Sequence, residues 1–298
     1  MADSGADGRP RPKGLSVEDM MRARAKQTRQ RLTIVAIVVV AVVAAAVVAA
    51  WILNRNADEP APPPTAPAPT AASGASSAGA PAGALDDGGI LLGQDLVPGG
   101  PAPSPDQAVT VEVMSDYLCP VCGMLEQAHG QALAAKAQAG EIRLVIHPVN
   151  NTNLNVYNDL YSWRAMLAVD TVAALEPDKF WAFNESLWAN QPPESKDTGD
   201  LTDEAIAELA AQAGVGQDTI DQLVDSPVEP WATWSSGEAS KRIGGTPTVF
   251  MSFNGSEPQI WNGWLLQGTD EAGETQYFAG DLDAAIANVK AGKAPDAE

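Results

Sequence analysis

Val109, Val111 and Val113 alternate with Thr110, Glu112 and Met114, a period of two that predicts a β-strand. Immediately after it, Val121, Leu125, Ala128, Ala132, Ala135 and Ala139 recur at steps of four and three, which predicts a helix presenting them on one face. A short edge strand is expected at Ile90-Leu91-Leu92, and another strand at 142–146, closed by His147-Pro148. Helical patterns then dominate: 155–175, 178–190, 202–213, 217–224 and 229–242, separated by Pro or Gly, with Asp178, Thr202 and Gln217 near helix starts. Among these segments Tyr161, Trp163, Phe180, Trp181, Phe183, Trp188, Trp231 and Trp234 read as core. The pattern returns to strands at Thr248-Val249-Phe250, turns at Asn254-Gly255, starts back at Gln259-Ile260-Trp261, and ends in a helix over 282–290 with Leu282, Ile286 and Val289 on one side. The order is strand, helix, strand, helical block, strand hairpin, helix, an α/β class.

Residues 32–53 break this pattern, being twenty-two uncharged residues that are almost all Val, Ala, Ile and Leu. As a helix they would extend roughly 33 Å, enough to span a bilayer core. Residues 1–31 carry eight Lys/Arg against four Asp/Glu, and five of the basic residues, from Arg22 to Arg31, precede the apolar run directly. The positive-inside rule then places the N-terminus in the cytoplasm and everything after residue 53 outside, as a single-pass protein of the cell membrane. A cleaved signal peptide is the competing reading, but the apolar run is too long and the basic arm too extended for the usual form. Residues 54–84 are mostly Pro, Ala, Ser, Gly and Thr, a linker that cannot bury a core and would reach on the order of 30 Å as a coil. It serves equally as a tether or as a spacer through a cell wall. The folded domain is expected over 85–298, with a helical insertion at about 154–242.

The net charge is −20, and beyond residue 31 there are ten basic against thirty-four acidic residues, so a nucleic-acid partner is disfavoured. The only two cysteines, Cys119 and Cys122, are separated by Pro120-Val121 at the junction of the first long strand and its helix. The unpaired N–H groups of a helix start favour a thiolate there, and Pro120 suits the first helical position because its missing N–H had no partner to lose. Cys119 is expected to be the accessible attacking thiol and Cys122 the shielded resolving thiol, both being the members of a redox-active disulfide. Zinc would need two more ligands, and His129 and His147 lack the usual spacing, so no metal is expected. A purely structural disulfide closing so small a loop would stabilise little. Asp116 and Glu126 lie near the pair in sequence and would raise the thiolate pKa if close in space. Glu126 reads primarily as a first-turn acid complementing the helix dipole, and His129 as a helix-surface residue.

Strand, Ser115-Asp116-Tyr117-Leu118-Cys119-Pro120-Val121-Cys122 at a helix start, a helical insertion, then Gly245-Thr246-Pro247-Thr248 before a hairpin and a terminal helix resembles the DsbA-like branch of the thioredoxin superfamily. It is similar in particular to the membrane-anchored members of high-GC Gram-positive bacteria. The resemblance covers about 85–291 and implies a thioredoxin-like fold. It also implies a cis Thr246–Pro247 bond facing the dithiol, with Pro247 in the active site and with Thr246, Pro120 and Val121 against substrate. The backbone of Thr246 would pair with an extended substrate segment by strand addition. The chain departs from the family at Val121, where strongly oxidising members often carry His, at Val113, a carboxylate in many relatives, and in having no second cysteine pair.

The resemblance implies an extracytoplasmic thiol–disulfide oxidoreductase, foremost an oxidase acting on exported cysteine-containing proteins and recharged by a quinone-linked, VKOR-like membrane oxidase. No bound cofactor is expected. The rival readings are a reductase or isomerase, for instance in cytochrome c maturation, and a non-catalytic binding or chaperone module of the same fold.

Overall fold

A computed structural model describes residues 79–151, 160–192, 201–269 and 275–298. The expected arm at 1–31, the expected anchor at 32–53 and the tether up to residue 78 lie outside them. Among the described residues no helix is long and apolar enough to cross a membrane. The expected boundary at 84/85 falls inside packed chain, because Ala80 and Ala84 already lie against the core and the Leu91 N–H donates to the Gly83 carbonyl at 2.9 Å.

Strand β1 (Ile90–Leu91) is followed by β2 (Val109–Ser115). Helix α1 (Pro120–Leu125) then runs through a π-helical turn at Glu126–Gly130 into α2 (Gln131–Gln138), and β3 (Ile142–Pro148) closes this unit. The helical block comprises α3 (Tyr161–Leu175), α4 (Phe180–Ala189, entered by a 3₁₀ turn at Pro177–Lys179), α5 (Asp203–Gln212), α6 (Gln217–Ile220) and α7 (Glu229–Arg242). It returns through β4 (Thr248–Ser252), β5 (Gln259–Ile260), the ribbon of β6 (Leu265–Thr269) and β7 (Thr275–Ala279), and helix α8 (Leu282–Lys290).

Among the described residues the main sheet has the order β1-β3-β2-β4-β5. Strand β2 runs parallel to β3, from Val109↔Ile142 to Ser115↔Pro148, and antiparallel to β4, with Met114↔Thr248 as the pair nearest the cysteines. All seven β2 residues are buried, because helices cover both faces. Val109, Val111 and Val113 join the main core with Leu125, Leu133, Ile286 and Val289, whereas Met114 packs with Phe250 and with Ala239 of α7. Phe180, Phe183 and Trp231 are fully buried among the insertion helices, and burial of each such side chain is worth about 1.5–3 kcal/mol.

The structure corrects several expectations. On α1 and α2 the face that packs is Cys122, Leu125, His129, Leu133 and Ala137, while Val121, Ala132, Ala135 and Ala139 are exposed. Alanine is a weak marker of the inner face, and the π turn adds a residue that rotates the helical face beyond it. Helix α3 starts at Tyr161, because Leu160 has φ 62° and cannot continue a helix; residues 155–159 of the expected helix lie outside the described residues. The segment expected at 217–224 is helical only to Ile220. The β6–β7 ribbon has no counterpart in the expected order; its pairs, such as Leu266↔Phe278, leave both side chains exposed. At the expected turn, Asn254 and Gly255 have φ of 51° and 76° and the Ser256 N–H donates to the Phe253 carbonyl at 3.0 Å, a tight turn that lies inside a longer connection, 253–258, rather than a two-residue hairpin loop.

Candidate functional site

Strand β2 ends at Ser115, and Asp116 turns the chain from strand to helix. Its fully buried carboxyl accepts from the N–H groups of Leu118 and Asn151, both at 2.8 Å. Cys119 is the N-cap of α1, with φ −70° and ψ 117°, and Pro120 occupies the first turn. The Cys119 carbonyl accepts from the N–H groups of Cys122 at 3.0 Å and Gly123 at 3.2 Å. Both cysteines are free thiols, Cys119 being 9% exposed and Cys122 1%. Cys119 keeps a small opening, and the exposed Pro120 and Val121 lie beside it.

The second wall comes from the residues ahead of β4. The Thr246–Pro247 peptide is cis, and the Cys119 thiol donates to the Thr246 carbonyl at 3.4 Å. The Thr248 hydroxyl donates to the Gly245 carbonyl at 2.8 Å and holds this turn. Thr246 stands two residues before the last ladder pair and makes no backbone–backbone hydrogen bond among the described residues. Cys119, Cys122 and Thr246, 127 residues apart in sequence at the extremes, are thus brought together, with Pro120, Val121 and Pro247 as their chain neighbours.

The two thiols differ in acidity. The Cys119 thiol is lowered to about 6, chiefly by a hydrogen bond from the Cys122 thiol, against burial, with the Cys122 N–H, the Thr246 side chain and the Val121 N–H adding to the effect. Burial pushes the Cys122 thiol well above its usual range, and the neighbouring Cys119 raises it further. The first proton leaves easily, and the second is held.

Glu126 and His129 depart from expectation. The Glu126 carboxyl is pushed up to about 7, first by burial and then by the charge of Glu185. It lines a small cavity with Val113, Ser115, Tyr117 and Asn184, and folds back over Gly130, where any Cβ would collide with it. Its position predicts a first-turn acid complementing the helix dipole; instead burial pushes it toward the neutral form. His129 is 3% exposed; a ring nitrogen lies 2.7 Å from the Trp264 carbonyl, and the ring meets Trp261 edge-on at 5.0 Å. The helix-surface expectation fails because the chain after β5 crosses over this face.

Gln191 carries no signal in the sequence. Just past α4, its amide donates to the carbonyls of Tyr117 at 3.0 Å and Cys119 at 2.9 Å. Partners more than seventy residues apart are invisible to local spacing.

Among the described residues one group of acids and histidine lies close enough to share an ion, namely Asp87, Glu112 and His147. Arg242 already occupies it, donating to Asp87 Oδ2 and Glu112 Oε2, each at 2.7 Å, while His147 Nε2 lies 3.4 Å from Glu112 Oε2. Burial favours the neutral Glu112 carboxyl, but the nearby His147 ring and the charge of Arg242 together outweigh it and hold the group below its ordinary value. This network ties α7 to the sheet, and the cysteines take no part in it.

A family model described as thioredoxin matches residues 103–260, a span that includes both cysteines and the Thr246–Pro247 bond. No curated protein matches the chain significantly. Among solved structures, the MdbA thiol-disulfide oxidoreductase of Actinomyces oris is similar at 22% identity, covering 59% of this chain and 82% of its own, with a TM-score of 0.48. Reduced DsbA of Mycobacterium tuberculosis is similar at 23% identity over 58% of this chain and 85% of its own, with a TM-score of 0.46. For oxidised BdbD of Bacillus subtilis the figures are 21%, 61%, 89% and 0.46.

Proposed function

Because the chain belongs to the thioredoxin family, we propose that it is an extracytoplasmic thiol–disulfide oxidoreductase working as a disulfide oxidase on exported proteins. The observation that carries this reading is the unequal pair: Cys119 lowered to about 6 at the opening, and Cys122 buried behind it with its thiol raised. A thiol that readily forms a thiolate is a good leaving group, and a dithiol whose reduced form is stabilised gives its disulfide away.

In the proposed cycle a substrate thiolate attacks Cys119 Sγ of the Cys119–Cys122 disulfide. The S–S bond breaks, Cys122 leaves as a thiolate and takes a proton. A second substrate thiolate then attacks the substrate sulfur of the mixed disulfide and expels the Cys119 thiolate. The substrate loses two electrons and the Cys119/Cys122 pair gains them. Pro247 borders the reacting sulfur in this reading. The Thr246 backbone, which makes no backbone–backbone hydrogen bond among the described residues, supplies a strand edge for an extended substrate, and Pro120 and Val121 supply apolar contact. No cofactor is invoked, since the sulfurs hold the electrons until a quinone-linked, VKOR-like membrane oxidase accepts them. The apolar run at 32–53 would keep the domain beside that partner, with the N-terminus in the cytoplasm.

The test is the reduction potential of the Cys119/Cys122 couple, equilibrated against glutathione buffers. A value near those of strong periplasmic oxidants supports the oxidase. A value near that of thioredoxin overturns it in favour of a reductase. Cys119→Ser is expected to abolish transfer of disulfides to a reduced substrate; a natural protein that transfers none, and whose client binding survives Cys119→Ser, would instead be a non-catalytic binding module.

A further inference from the structure

Helix α4 and the residue just past its end meet the segment that leads into Cys119 at three successive points. Asn184 Oδ1 accepts from the Tyr117 hydroxyl at 2.7 Å, and the Trp188 ring lies 4.6 Å from the Tyr117 ring. Gln191 then takes the carbonyls of both Tyr117 and Cys119. Asn184 and Trp188 share the i, i+4 spacing of one helical face, and Gln191, just past the end of α4, continues the contact, so the insertion grips Tyr117 from hydroxyl to carbonyl. The Gln191 amide also lies against the first turn of α1. A Cβ at Gly123 would collide with Gln191 Oε1, so the absence of a side chain at 123 is what admits the amide.

The contact with Cys119 is the informative one. Its carbonyl already receives the N–H groups of Cys122 and Gly123, and the amide is a third donor from a different part of the fold. An amide serving only to join the insertion to the sheet could use the Tyr117 carbonyl alone. Reaching the Cys119 peptide fixes the cap residue itself, and with it the place of its sulfur at the start of α1.

We propose that Gln191 is a positioning residue of the dithiol: its amide locks the Cys119 peptide as the cap of α1 and so holds the Cys119 sulfur at the start of that helix. The proposal rests on the reading of Cys119 as the sulfur that exchanges with substrate. It also gives the helical insertion a role in setting the redox chemistry, since the insertion delivers the amide.

The experiment uses the full chain and reads the thiol directly rather than disulfide transfer. The pH dependence of Cys119 alkylation by iodoacetamide and the equilibrium with glutathione are measured for the natural protein, Gln191→Met and Gly123→Ala. Gln191→Met keeps length and removes both donors, and Gly123→Ala displaces the amide while suiting a helix. Each is expected to move the alkylation midpoint upward by up to about one pH unit and to shift the glutathione equilibrium by up to about tenfold toward the disulfide form of the protein, the scale of one hydrogen bond. In a Gln191→Met background, Gly123→Ala is expected to add nothing to either. Unchanged midpoint and equilibrium in both folded single variants would overturn the proposal, leaving Gln191 a tie between insertion and sheet. An undiminished Gly123→Ala shift in the Gln191→Met background would overturn it as well. Should Gln191→Met fail to fold, Gly123→Ala alone decides by the same two readouts. Failure of the oxidase reading shows instead in the potential of the natural protein, which none of these comparisons requires.

Discussion

Replacing Glu126 by Gln is expected to stabilise the reduced protein at alkaline pH and to lose that advantage in acid. The carboxyl titrates at about 7 in the folded chain against an ordinary 4.5. A raised folded pKa means that the folded state binds the proton more tightly than the unfolded state. The group's contribution to stability is therefore fully present below pH 4.5 and is lost as the pH rises through 7. Two and a half units at about 1.36 kcal/mol each make the loss about 3 kcal/mol by pH 8 to 9. Gln does not ionise, so Glu126→Gln escapes it, and any fixed cost of the amide in the cavity is the same at every pH and cancels from the slope. Urea unfolding of both proteins at pH 4, 6 and 8, with the dithiol kept reduced, measures the difference at each pH. A stability difference independent of pH would refute the reasoning. So would one growing toward acid, which would mean that the carboxylate is stabilised in the fold. Glu185→Gln should lower the Glu126 pKa and flatten part of the same slope, by less than burial contributes, because burial is the larger cause.

Cys122→Ala is expected to raise the pH midpoint of Cys119 alkylation from about 6 toward the ordinary thiol range, with a smaller rise for Cys122→Ser, which keeps a donor; equal midpoints in all three proteins would contradict the assigned cause. Arg242→Met leaves the Asp87 and Glu112 carboxylates without their cation and should cost about 2–3 kcal/mol at pH 7. Because the folded Glu112 pKa is depressed, that cost should shrink as the pH falls below about 4.5, and denaturant midpoints at pH 7 and 4 compare the two. Leu160→Gly removes a left-handed strain from a side chain that is 53% exposed and should stabilise by about 1 kcal/mol in urea unfolding; a loss would mean that Leu160 packs more than its exposure indicates.

Local rules were enough wherever one residue's chemistry acts on its own neighbours. The alternation at 109–113 marks β2, Asn254-Gly255 marks a turn that needs two positive φ angles, and Leu282, Ile286 and Val289 mark the buried side of α8. Thr202 and Asp281 cap α5 and α8, accepting from the N–H groups three residues on at 3.3 and 2.9 Å. Those rules failed where burial depends on what arrives from elsewhere. His129 is inside because the Trp261 to Trp264 segment crosses it, and the face of α1 and α2 is displaced by a π turn that no single residue announces.

The sequence by itself determined that two cysteines stand at a strand-to-helix junction, since a C-x-x-C spacing and the switch from period two to helical steps are properties of adjacent residues. It also determined that a Thr-Pro step precedes a strand far downstream. Tertiary structure alone decided that these meet, through the antiparallel pairing of β2 with β4 that brings Thr246 within 3.4 Å of the Cys119 sulfur. It decided equally that Glu126 lies in a cavity and that Gln191 reaches the Cys119 carbonyl. The physical reason is range: backbone propensity acts over a few residues, whereas burial, pKa and hydrogen-bond partnership are set by chain segments that only the completed core brings into contact.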